Sequence, residues 1–235
     1  MTSTRLPGKV LLPVLGKTLL ECQIERMQRI KIADEQVIAT TVNDTDQPIV
    51  DLCNHLGVAV YRGDEEDVLS RYYEAAQAYD AGVIVRVTSD CPLIDPQIID
   101  TVIQHYLNHQ PKIAYTANIL KRTLPRGMDT EVFSMQALTE AHREATEAPE
   151  REHVTPFIQN QAERYPAGSV EYEGDQSHHR WTVDTREDFE LIRRMLEALY
   201  PHYPEFTLQD CLTLLKHNPD WQSINSHIEQ KAYGA

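Results

Sequence analysis

Residues 83–93 of the chain read VIVRVTSDCPL. The first six of these residues are almost all β-branched, which predicts a strand buried in the middle of a sheet. Asp90 lies just beyond that strand, and open α/β sheets bind ligands at the carboxyl ends of their strands. The segment therefore predicts that Asp90 holds Mg²⁺ between phosphate oxygens. An equally simple interpretation is that Asp90 caps the helix that begins near Pro92 or Pro96.

Strand-like and helix-like segments alternate along the rest of the chain. The residue patterns predict strands at 36–42, 58–61, 83–88, 113–116, 129–133 and 179–183. They predict helices at 19–30, 46–56, 65–79, 96–107, 135–145, 151–159, 186–199 and 208–216. This alternation is typical of an open, mostly parallel sheet with helices on both faces. We therefore expect one α/β domain that spans residues 1–235, with an excursion at about 113–160.

The composition limits the possible partners and compartments. The chain has 235 residues, a formal net charge of −14 and 41% hydrophobic residues. Such a chain can form a full-sized core, and its acidic surface argues against a nucleic-acid partner. No apolar run approaches the ~20 residues of a membrane span, and no secretory signal is visible. The four cysteines are scattered, which favours reduced thiols over disulfides or structural zinc. We expect a cytoplasmic protein with no membrane partner.

The N-terminal segment STRLPGK is basic, and no acidic residue occurs among the first twenty. Ser3 and Thr4 offer hydroxyl and backbone N–H donors, and Gly8 lets the backbone approach an anion closely. Arg5 can bind phosphate oxygens with its two-pronged guanidinium, and Lys9 adds a point charge. The segment lacks the Walker A pattern. Composition alone favours a simpler interpretation, which is a solvated basic turn.

A third polar segment, WTVDTREDF at 181–189, begins in another predicted strand. Asp184 lies at the end of that strand and before a helix, which makes it a second candidate for a metal-binding carboxylate at a strand end. The competing interpretation is that Asp184 caps the next helix, with Glu187 completing a capping box three residues later. Each of the three polar segments thus has an ordinary structural explanation when it is considered alone.

The three segments in this order resemble the cytidylyltransferase family, and in particular its spore-coat polysaccharide type. Three further stretches carry the likeness, namely KVLLP at 9–13, YRGDEEDVLSRY at 61–72 and REHVTP at 151–156. The likeness extends from the first residues to about Pro204. It implies a Rossmann-like fold of the nucleotide-diphospho-sugar transferase type. It also implies a Mg²⁺-dependent reaction in which CTP and a sugar give a CMP-sugar and pyrophosphate.

The resemblance also implies roles for individual residues. Arg5 and Lys9 would hold the triphosphate. Asp90 and Asp184 would bind Mg²⁺. Arg71, in the DVLSRY stretch, falls where the family builds part of its nucleotide site.

The chain departs from the family pattern at two places. Ser89 stands where family members usually have Gly before the metal-binding Asp. Family members also have a hydrophobic strand of the type IIQAR ahead of the phosphate loop, whereas this sequence starts at Met1. We therefore expect the first, central strand to be missing from this sequence. The favoured explanation is a start codon upstream of Met1.

The excursion at about 113–160 is the expected place for sugar binding or for contacts in a homodimer. Its candidate sugar-binding residues are all charged or titratable, namely Arg122, Arg126, Asp129, Glu131, Glu152 and His153. A salt-bridged surface, or a dimer contact through 118–150, explains the same residues equally well. His153 is also a candidate proton acceptor, although a histidine before a helix more often has a capping or surface role.

Two other functions fit parts of the sequence. A glycosyltransferase of the same fold would use a nucleotide sugar, but such enzymes usually have an Asp-x-Asp motif after the buried strand, and SDC at 89–91 lacks it. An N-terminally truncated, inactive nucleotide-binding protein is favoured by the missing strand, because its loss leaves neighbouring backbone groups unpaired. Pyrophosphate release from CTP in the presence of a sugar distinguishes these functions.

Overall fold

The computed structural model describes residues 3–230. The α-helices of this part are α1 (Leu19–Met27), α2 (Gln47–Leu56), α3 (Val68–Ala78), α4 (Pro96–His109), α5 (Met135–Glu144), α6 (Ala148–His153), α7 (Pro156–Gln159), α8 (Arg186–Leu199) and α9 (Leu208–His217). The strands are β1 (Pro13–Val14), β2 (Lys17–Thr18), β3 (Val37–Thr41), β4 (Ala59–Gly63), β5 (Val83–Arg86), β6 (Tyr115–Ala117), β7 (Glu131–Ser134) and β8 (Ala167–Ser169). Short 3₁₀ helices cover Lys9–Leu11, Asp44–Asp46 and Pro219–Ser223.

The strands of the described residues form three separate ladders. β1 and β2 make a small antiparallel hairpin, and β3 pairs with β4 in parallel. The largest sheet has the order β5-β7-β6-β8. In this sheet β7 runs antiparallel to both neighbours, while β8 runs parallel to β6. The mixed α/β architecture, with open sheets and packed helices, confirms the fold class that the sequence predicts.

The sheet system is divided between β3 and β5. Within residues 3–230 no ladder joins these two strands. Residues 13–18, which follow the phosphate loop, pair only with each other. The described strands on the two sides of this division therefore belong to separate ladders, and the expectation of a missing first strand stays a prediction.

The strand predicted at 179–183 does not form. Among the described residues, this segment forms one isolated β-bridge, between Arg180 and Arg126. Trp181 N–H donates to the carbonyl oxygen of Arg126 at 2.7 Å, and Val183 N–H donates to that of Asp90 at 2.9 Å. The segment therefore runs between two loops rather than along a strand. The apolar residues alternate along this segment because Trp181 and Val183 are both fully buried. A buried irregular segment can show the same alternation as a strand, so periodicity alone does not distinguish the two.

The helix and strand predictions also differ from the structure elsewhere. The helix predicted at 151–159 is split into α6 and α7, because Val154 has a positive φ of 73°. β8 has no counterpart among the predicted strands, because its sequence AGS has low strand propensity. Pairing with β6 makes it a strand.

A buried arginine fixes α1 to distant loops. Arg26 is fully buried, and its guanidinium donates to the carbonyl oxygens of Ile94 at 2.9 Å and Phe206 at 2.8 Å. It also lies 3.7 Å from the centroid of the Phe206 ring. Burial lowers the pKa of Arg26 to about 10, so the side chain remains charged at neutral pH. Its N–H groups therefore donate hydrogen bonds to carbonyl oxygens in the loop after β5 and in the segment before α9.

The four cysteines are all buried and free, in agreement with the expected reduced thiols. Within residues 3–230 no helix has the length and apolar character needed to cross a membrane.

Replacing Arg26 with alanine would leave the carbonyl oxygens of Leu93, Ile94 and Phe206 without their shared donor. An unsatisfied buried polar group costs about 1–3 kcal/mol. We therefore expect Arg26→Ala to lower the free energy of unfolding by about 3 kcal/mol, measured by urea denaturation with circular dichroism. Arg29→Ala, near the same end of the helix but less buried, is the matched control. Equal losses in the two variants would contradict the role assigned to Arg26.

Candidate active site

The three polar segments of the sequence meet at one point. The Lys9 ammonium lies 2.7 Å from Asp90 Oδ2 and 2.7 Å from Asp184 Oδ1, although these aspartates are 81 and 175 positions away along the chain. Arg5 reaches the same place, with a guanidinium nitrogen 2.9 Å from Asp184 Oδ2. Two carboxylates and two cations therefore form one cluster beyond the end of β5, which we call the Lys9 cluster.

The phosphate loop is shaped by one buried side chain and one glycine. Leu6 is packed in the main core, and its N–H donates to Ser3 Oγ at 3.4 Å. Gly8 has a φ of 67°, in the left-handed region that favours glycine. Lys9 begins a 3₁₀ helix directly after this turn. The anchored Leu6 and the turn at Gly8 bring Lys9 to the two carboxylates, while Thr4 is exposed.

Asp90 is held by hydrogen bonds on both sides of the strand end. Thr88 donates its hydroxyl to Asp90 Oδ1 at 2.7 Å. From α1, Gln23 donates its side-chain amide to the Thr88 carbonyl at 2.8 Å and accepts from Cys91 N–H at 3.2 Å. Gln23 therefore fixes the loop that carries Asp90. The sequence alone does not reveal this role, because a single glutamine on an amphipathic helix belongs to no motif.

Asp184 is supported by a buried polar network. Arg180 donates to Asp184 Oδ2 at 2.6 Å and to Asp188 Oδ1 at 2.9 Å. Asn225 donates to the same Asp188 oxygen at 2.8 Å and to the carbonyl of Arg180 at 2.8 Å. All three supporting side chains are buried. Sequence patterns do not predict this network, because Asn225 comes from a polar C-terminal segment with no periodicity.

The observed helix caps exclude the capping interpretations of both aspartates. Thr185 is the N-cap of α8, and Asp188 completes its capping box, so the box predicted for Asp184 does not form. Asp95 is the N-cap of α4 and accepts from Gln97 N–H. Asp90 and Asp184 are therefore not used as helix caps and remain available for a ligand.

A cavity of about 940 Å³ opens from the Lys9 cluster. This volume falls in the range of small-molecule binding sites. Arg5, Asp90 and Asp184 line one part of the cavity. The candidate sugar-binding residues all line it as well, namely Arg122, Arg126, Asp129, Glu131, Glu152 and His153. The structure thus brings Arg5, Asp90 and Asp184 to the same cavity as the candidate sugar-binding residues.

Glu131 and Asp129 already have protein partners. Glu131 is only 2% exposed, forms an ion pair with Arg86 and accepts a hydrogen bond from Tyr115 at 2.6 Å. Both oxygens of Asp129 accept from Arg122, at 2.6 and 2.8 Å. Glu131 therefore positions the side chain of Arg86 in the cavity wall. Arg122 and Asp129 form an ion pair, and both side chains line the cavity.

Gly127 is required where the cavity wall packs against the segment before α8. Its φ is +104°, and a Cβ at this position would lie 2.6 Å from the carbonyl oxygen of Trp181. Any side chain would therefore push Arg126 away from that segment. No sequence pattern singles out Gly127, because the close approach comes from a residue far along the chain.

The family model described as cytidylyltransferase matches residues 1–210. The chain belongs to the cytidylyltransferase family. This confirms the resemblance found in its sequence motifs.

Two relatives match almost the whole of this cytidylyltransferase family member. The spore coat polysaccharide biosynthesis protein SpsF of Bacillus subtilis is 34% identical over 229 residues, which cover 94% of this chain and 92% of that protein. The structure of a cytidylyltransferase from Leptospira borgpetersenii has a TM-score of 0.91 at 34% identity, covering 99% of this chain and 95% of that one. The structure of CMP:2-keto-3-deoxy-manno-octonic acid synthetase complexed with CTP has a TM-score of 0.64 at 16% identity, covering 83% and 94%. This last likeness shows the fold alone.

Arg71 contacts residues at the end of β4 and in the turn that follows it. Its guanidinium donates to the carbonyl oxygen of Asp64, and its side chain packs against Gly63 at the end of β4. Arg71 does not line the 940 Å³ cavity. Its assignment to the nucleotide site stays a prediction from the resemblance.

The donor set of the Lys9 cluster suits a hard divalent cation. Asp90 and Asp184 direct carboxylate oxygens at one point, and Mg²⁺ is commonly bound by one or two carboxylates together with substrate phosphates. In the part of the chain that the structure describes, no group of three or more His, Cys, Asp or Glu side chains is arranged to hold a metal ion. An ion bound here would therefore take its other ligands from substrate and water.

The cluster is stabilised in its charged state. Burial raises the pKa of Asp90 and of Asp184, but the Lys9 ammonium outweighs this effect, and both pKa values lie below the ordinary value. Burial likewise lowers the pKa of Lys9, but the two carboxylates raise it above the ordinary value overall. All three groups are therefore ionised at neutral pH.

His179 packs behind the wall that carries Arg126. Its ring lies 5.3 Å from that of Trp181, and its carbonyl accepts from Arg126 N–H at 3.1 Å. Burial, with a smaller contribution from His178, lowers the pKa of His179 to about 4. The imidazole is therefore neutral in the folded protein at pH values where an unfolded histidine, with a pKa of ~6.5, begins to bind a proton.

This pKa difference predicts an acid-sensitive contribution to stability. Between pH ~6.5 and ~4 the unfolded chain binds the proton and the folded chain does not, so the free energy of unfolding falls as the pH falls. We expect His179→Gln to remove about 2–3 kcal/mol of that fall, measured by urea denaturation at several pH values. His55→Gln, an exposed histidine of α2, is the control. Identical pH profiles for wild type and His179→Gln would show that His179 does not titrate in this way.

Proposed function

We propose that the chain is a cytidylyltransferase that joins CTP to a sugar, giving a CMP-sugar and pyrophosphate for the synthesis of a surface polysaccharide or glycan. The observation that carries this proposal is the Lys9 cluster, in which one ammonium lies 2.7 Å from two carboxylates at a 940 Å³ cavity. Membership of the cytidylyltransferase family supports it. The CTP complex of a synthetase with a similar fold and the name of the Bacillus subtilis relative support it as well.

The proposed reaction takes place at the α-phosphorus of CTP. A sugar hydroxyl oxygen bonds to this phosphorus, the bond from it to the bridging oxygen of the β-phosphate breaks, and pyrophosphate leaves. Positioning and charge neutralisation dominate phosphate-transfer catalysis. Arg5 and Lys9 would bind the triphosphate and offset the charge that develops on pyrophosphate. The hydroxyls of Ser3 and Thr4 and the backbone at Gly8 would complete this phosphate loop.

Mg²⁺ is the proposed cofactor, with Asp90 and Asp184 as its protein ligands. When bound, it would neutralise charge on the phosphate oxygens. Lys9 lies between the two carboxylates at 2.7 Å from each, so it would have to turn toward the triphosphate when a divalent cation is held there. Asp90 and Asp184 would thus neutralise a cation both without the metal, when it is the Lys9 ammonium, and with it, when it is Mg²⁺.

The sugar is proposed to bind in the part of the cavity that is lined by Arg126, Asp129 and His153. Arg126 and the Arg122–Asp129 pair offer donors and acceptors for sugar hydroxyls. Burial is the main cause that lowers the pKa of His153, which leaves a neutral imidazole at neutral pH. His153 would then accept the proton that the attacking hydroxyl releases.

We also propose a cytoplasmic homodimer that associates through residues 118–150. Leu120, in this segment, is 44% exposed, and burial of such an apolar side chain favours association. The four free cysteines suit a reducing compartment. Sedimentation equilibrium of wild type and Leu120→Asp tests the association, because a charge at a dimer contact should give monomers.

A panel of nucleoside triphosphates and acidic or amino sugars tests the reaction, with pyrophosphate release as the readout. We expect release with CTP and a sugar together, and none when either is omitted. Turnover of a nucleotide sugar without pyrophosphate release would instead indicate a glycosyltransferase. CTP binding by calorimetry without turnover would indicate an inactive binding protein.

Replacing Asp90 with asparagine removes one charge from the proposed metal site and keeps the side-chain volume. We expect Asp90→Asn to lower kcat at saturating Mg²⁺ by at least about 100-fold, while the far-ultraviolet circular dichroism remains that of the wild type. Asp51→Asn, an exposed residue of α2, is the matched control. Wild-type turnover by Asp90→Asn would remove Asp90 from the mechanism.

Arg126 provides a test of the sugar side alone. Loss of a charge-assisted hydrogen bond costs about 1.5–3 kcal/mol, so Arg126→Ala should raise the KM for the sugar by about 10- to 100-fold. The KM for CTP should change little, because the Lys9 cluster is intact. Arg164→Ala, whose side chain pairs with Glu140 and Glu144 outside the cavity, is the control. An equal rise in both KM values would argue for a general distortion instead.

A further inference from the structure

Glu131 of β7 is a buried carboxylate that receives hydrogen bonds from β5, β6 and the start of α7. Its Oε1 accepts from the hydroxyl of Tyr115 at 2.6 Å, from that of Thr155 at 2.7 Å and from the side-chain amide of Gln159 at 3.0 Å. Its Oε2 forms the ion pair with Arg86. A carboxylate offers about four acceptor positions, and these donors match that number. Glu131 is therefore satisfied by protein groups alone, although it lines the cavity.

Arg86 is the partner of Glu131 that belongs to the cavity wall. It is the last residue of β5, and 18% of its side chain is exposed. Because side chains alternate along a strand, Arg86 lies on the same face as Ile84, which packs with Leu69 of α3. Its guanidinium carbon lies 5.9 Å from the centroid of the Tyr72 ring on that face. A guanidinium has more N–H donors than one carboxylate oxygen can accept from, so Arg86 retains donors for another acceptor.

The same carboxylate also fixes the turn that carries His153. Thr155, whose hydroxyl donates to Glu131, donates its backbone N–H to the carbonyl oxygen of His153 at 2.9 Å. Val154 between them has a φ of 73° and a ψ of −54°, which is the rare γ-turn geometry. This backbone is strained for a β-branched residue, and such strain persists only where the surroundings enforce it. Val154 is fully buried, so packing and the Thr155 hydrogen bonds hold the turn.

Arg86 and His153 act on the same part of the cavity. Both side chains line it. Burial lowers the pKa of His153, and the charge of Arg86 lowers it further, against the opposing effect of Glu152. The wall thus combines a cationic donor with a neutral imidazole, which can accept a hydrogen bond. A donor next to an acceptor suits two neighbouring oxygens of a sugar, one of which accepts a hydrogen bond while the other donates.

We propose that Arg86 is a sugar-binding residue and that Glu131 is the positioning residue that holds Arg86 and the turn of His153. This assignment rests on the proposed function. Arg86 would donate a hydrogen bond to an oxygen of the acceptor sugar that lies beside the attacking hydroxyl, while His153 accepts the proton of that hydroxyl. Glu131 itself would not touch the sugar, because its oxygens are already bonded to four protein groups.

Arg86→Lys separates sugar binding from a purely structural ion pair. Lysine keeps a positive charge beside Glu131, but its single nitrogen cannot reproduce the guanidinium fork. We expect the Tm to stay close to that of the wild type, while the KM for the sugar rises by about 10- to 100-fold and the KM for CTP is unchanged. The probe is the panel sugar that gives the fastest pyrophosphate release. A wild-type KM for this sugar would show that Arg86 only balances the charge of Glu131, and overturns the assignment.

Glu131→Gln tests the positioning role. It should raise the KM for the sugar at least as much as Arg86→Lys does. The double variant should show no further rise, because one residue acts through the other. Glu171→Gln, which removes an exposed ion pair with Lys121, is the matched control and should leave both KM values unchanged. Effects that multiply in the double variant would show that Glu131 contacts the sugar by itself, and overturn its positioning role.

A direct binding measurement separates this assignment from the proposed function. Wild-type protein that releases no pyrophosphate with any panel sugar would overturn the function. Saturation-transfer NMR of the same sugars then tests Arg86 without turnover. We expect a signal with the wild type and its loss with Arg86→Lys, while CTP still binds to both proteins. Equal sugar signals from the two proteins, or no signal from either, overturn the assignment of Arg86.

Discussion

The ion pairs of Lys9 with Asp90 and Asp184 are the interaction on which the site depends. Two carboxylates that converge on one partly buried point repel each other, and burial makes that repulsion stronger. An ammonium 2.7 Å from each of them removes this cost. The pairs thereby hold together the phosphate loop, the end of β5 and the segment before α8. Removing one partner would leave buried charge without compensation, which costs more than the pair contributes.

α1 connects this cluster to the rest of the molecule. Gln23 of α1 fixes the loop of Asp90 through backbone groups, while Arg26, one turn later, is bonded to loops before α4 and α9. The same helix also lines a cavity of about 390 Å³ beside β3 and β5. Core packing and the geometry of the site therefore both depend on α1.

Local sequence patterns predicted the regular elements well but not the irregular ones. Helices such as α4 and α8 have strong apolar periodicity and begin where their caps place them. The segment 179–183 has the same alternation as a strand, yet its backbone groups bond to loops. β8 shows the reverse case, since pairing alone makes it a strand. Periodicity reports which residues are buried, and it does not report which backbone groups they face.

The sequence by itself determined the family, the α/β class and the identity of the charged residues Lys9, Asp90 and Asp184, because these depend on residue type and order. It left open whether each aspartate was a helix cap or a ligand. Only the tertiary structure excluded the capping role, since Thr185 and Asp95 are the caps and both carboxylates form ion pairs with Lys9. The supporting side chains, and the division of the sheet between β3 and β5, also came from the fold. Contacts between residues far apart in the chain follow from three-dimensional packing, and no local pattern records them.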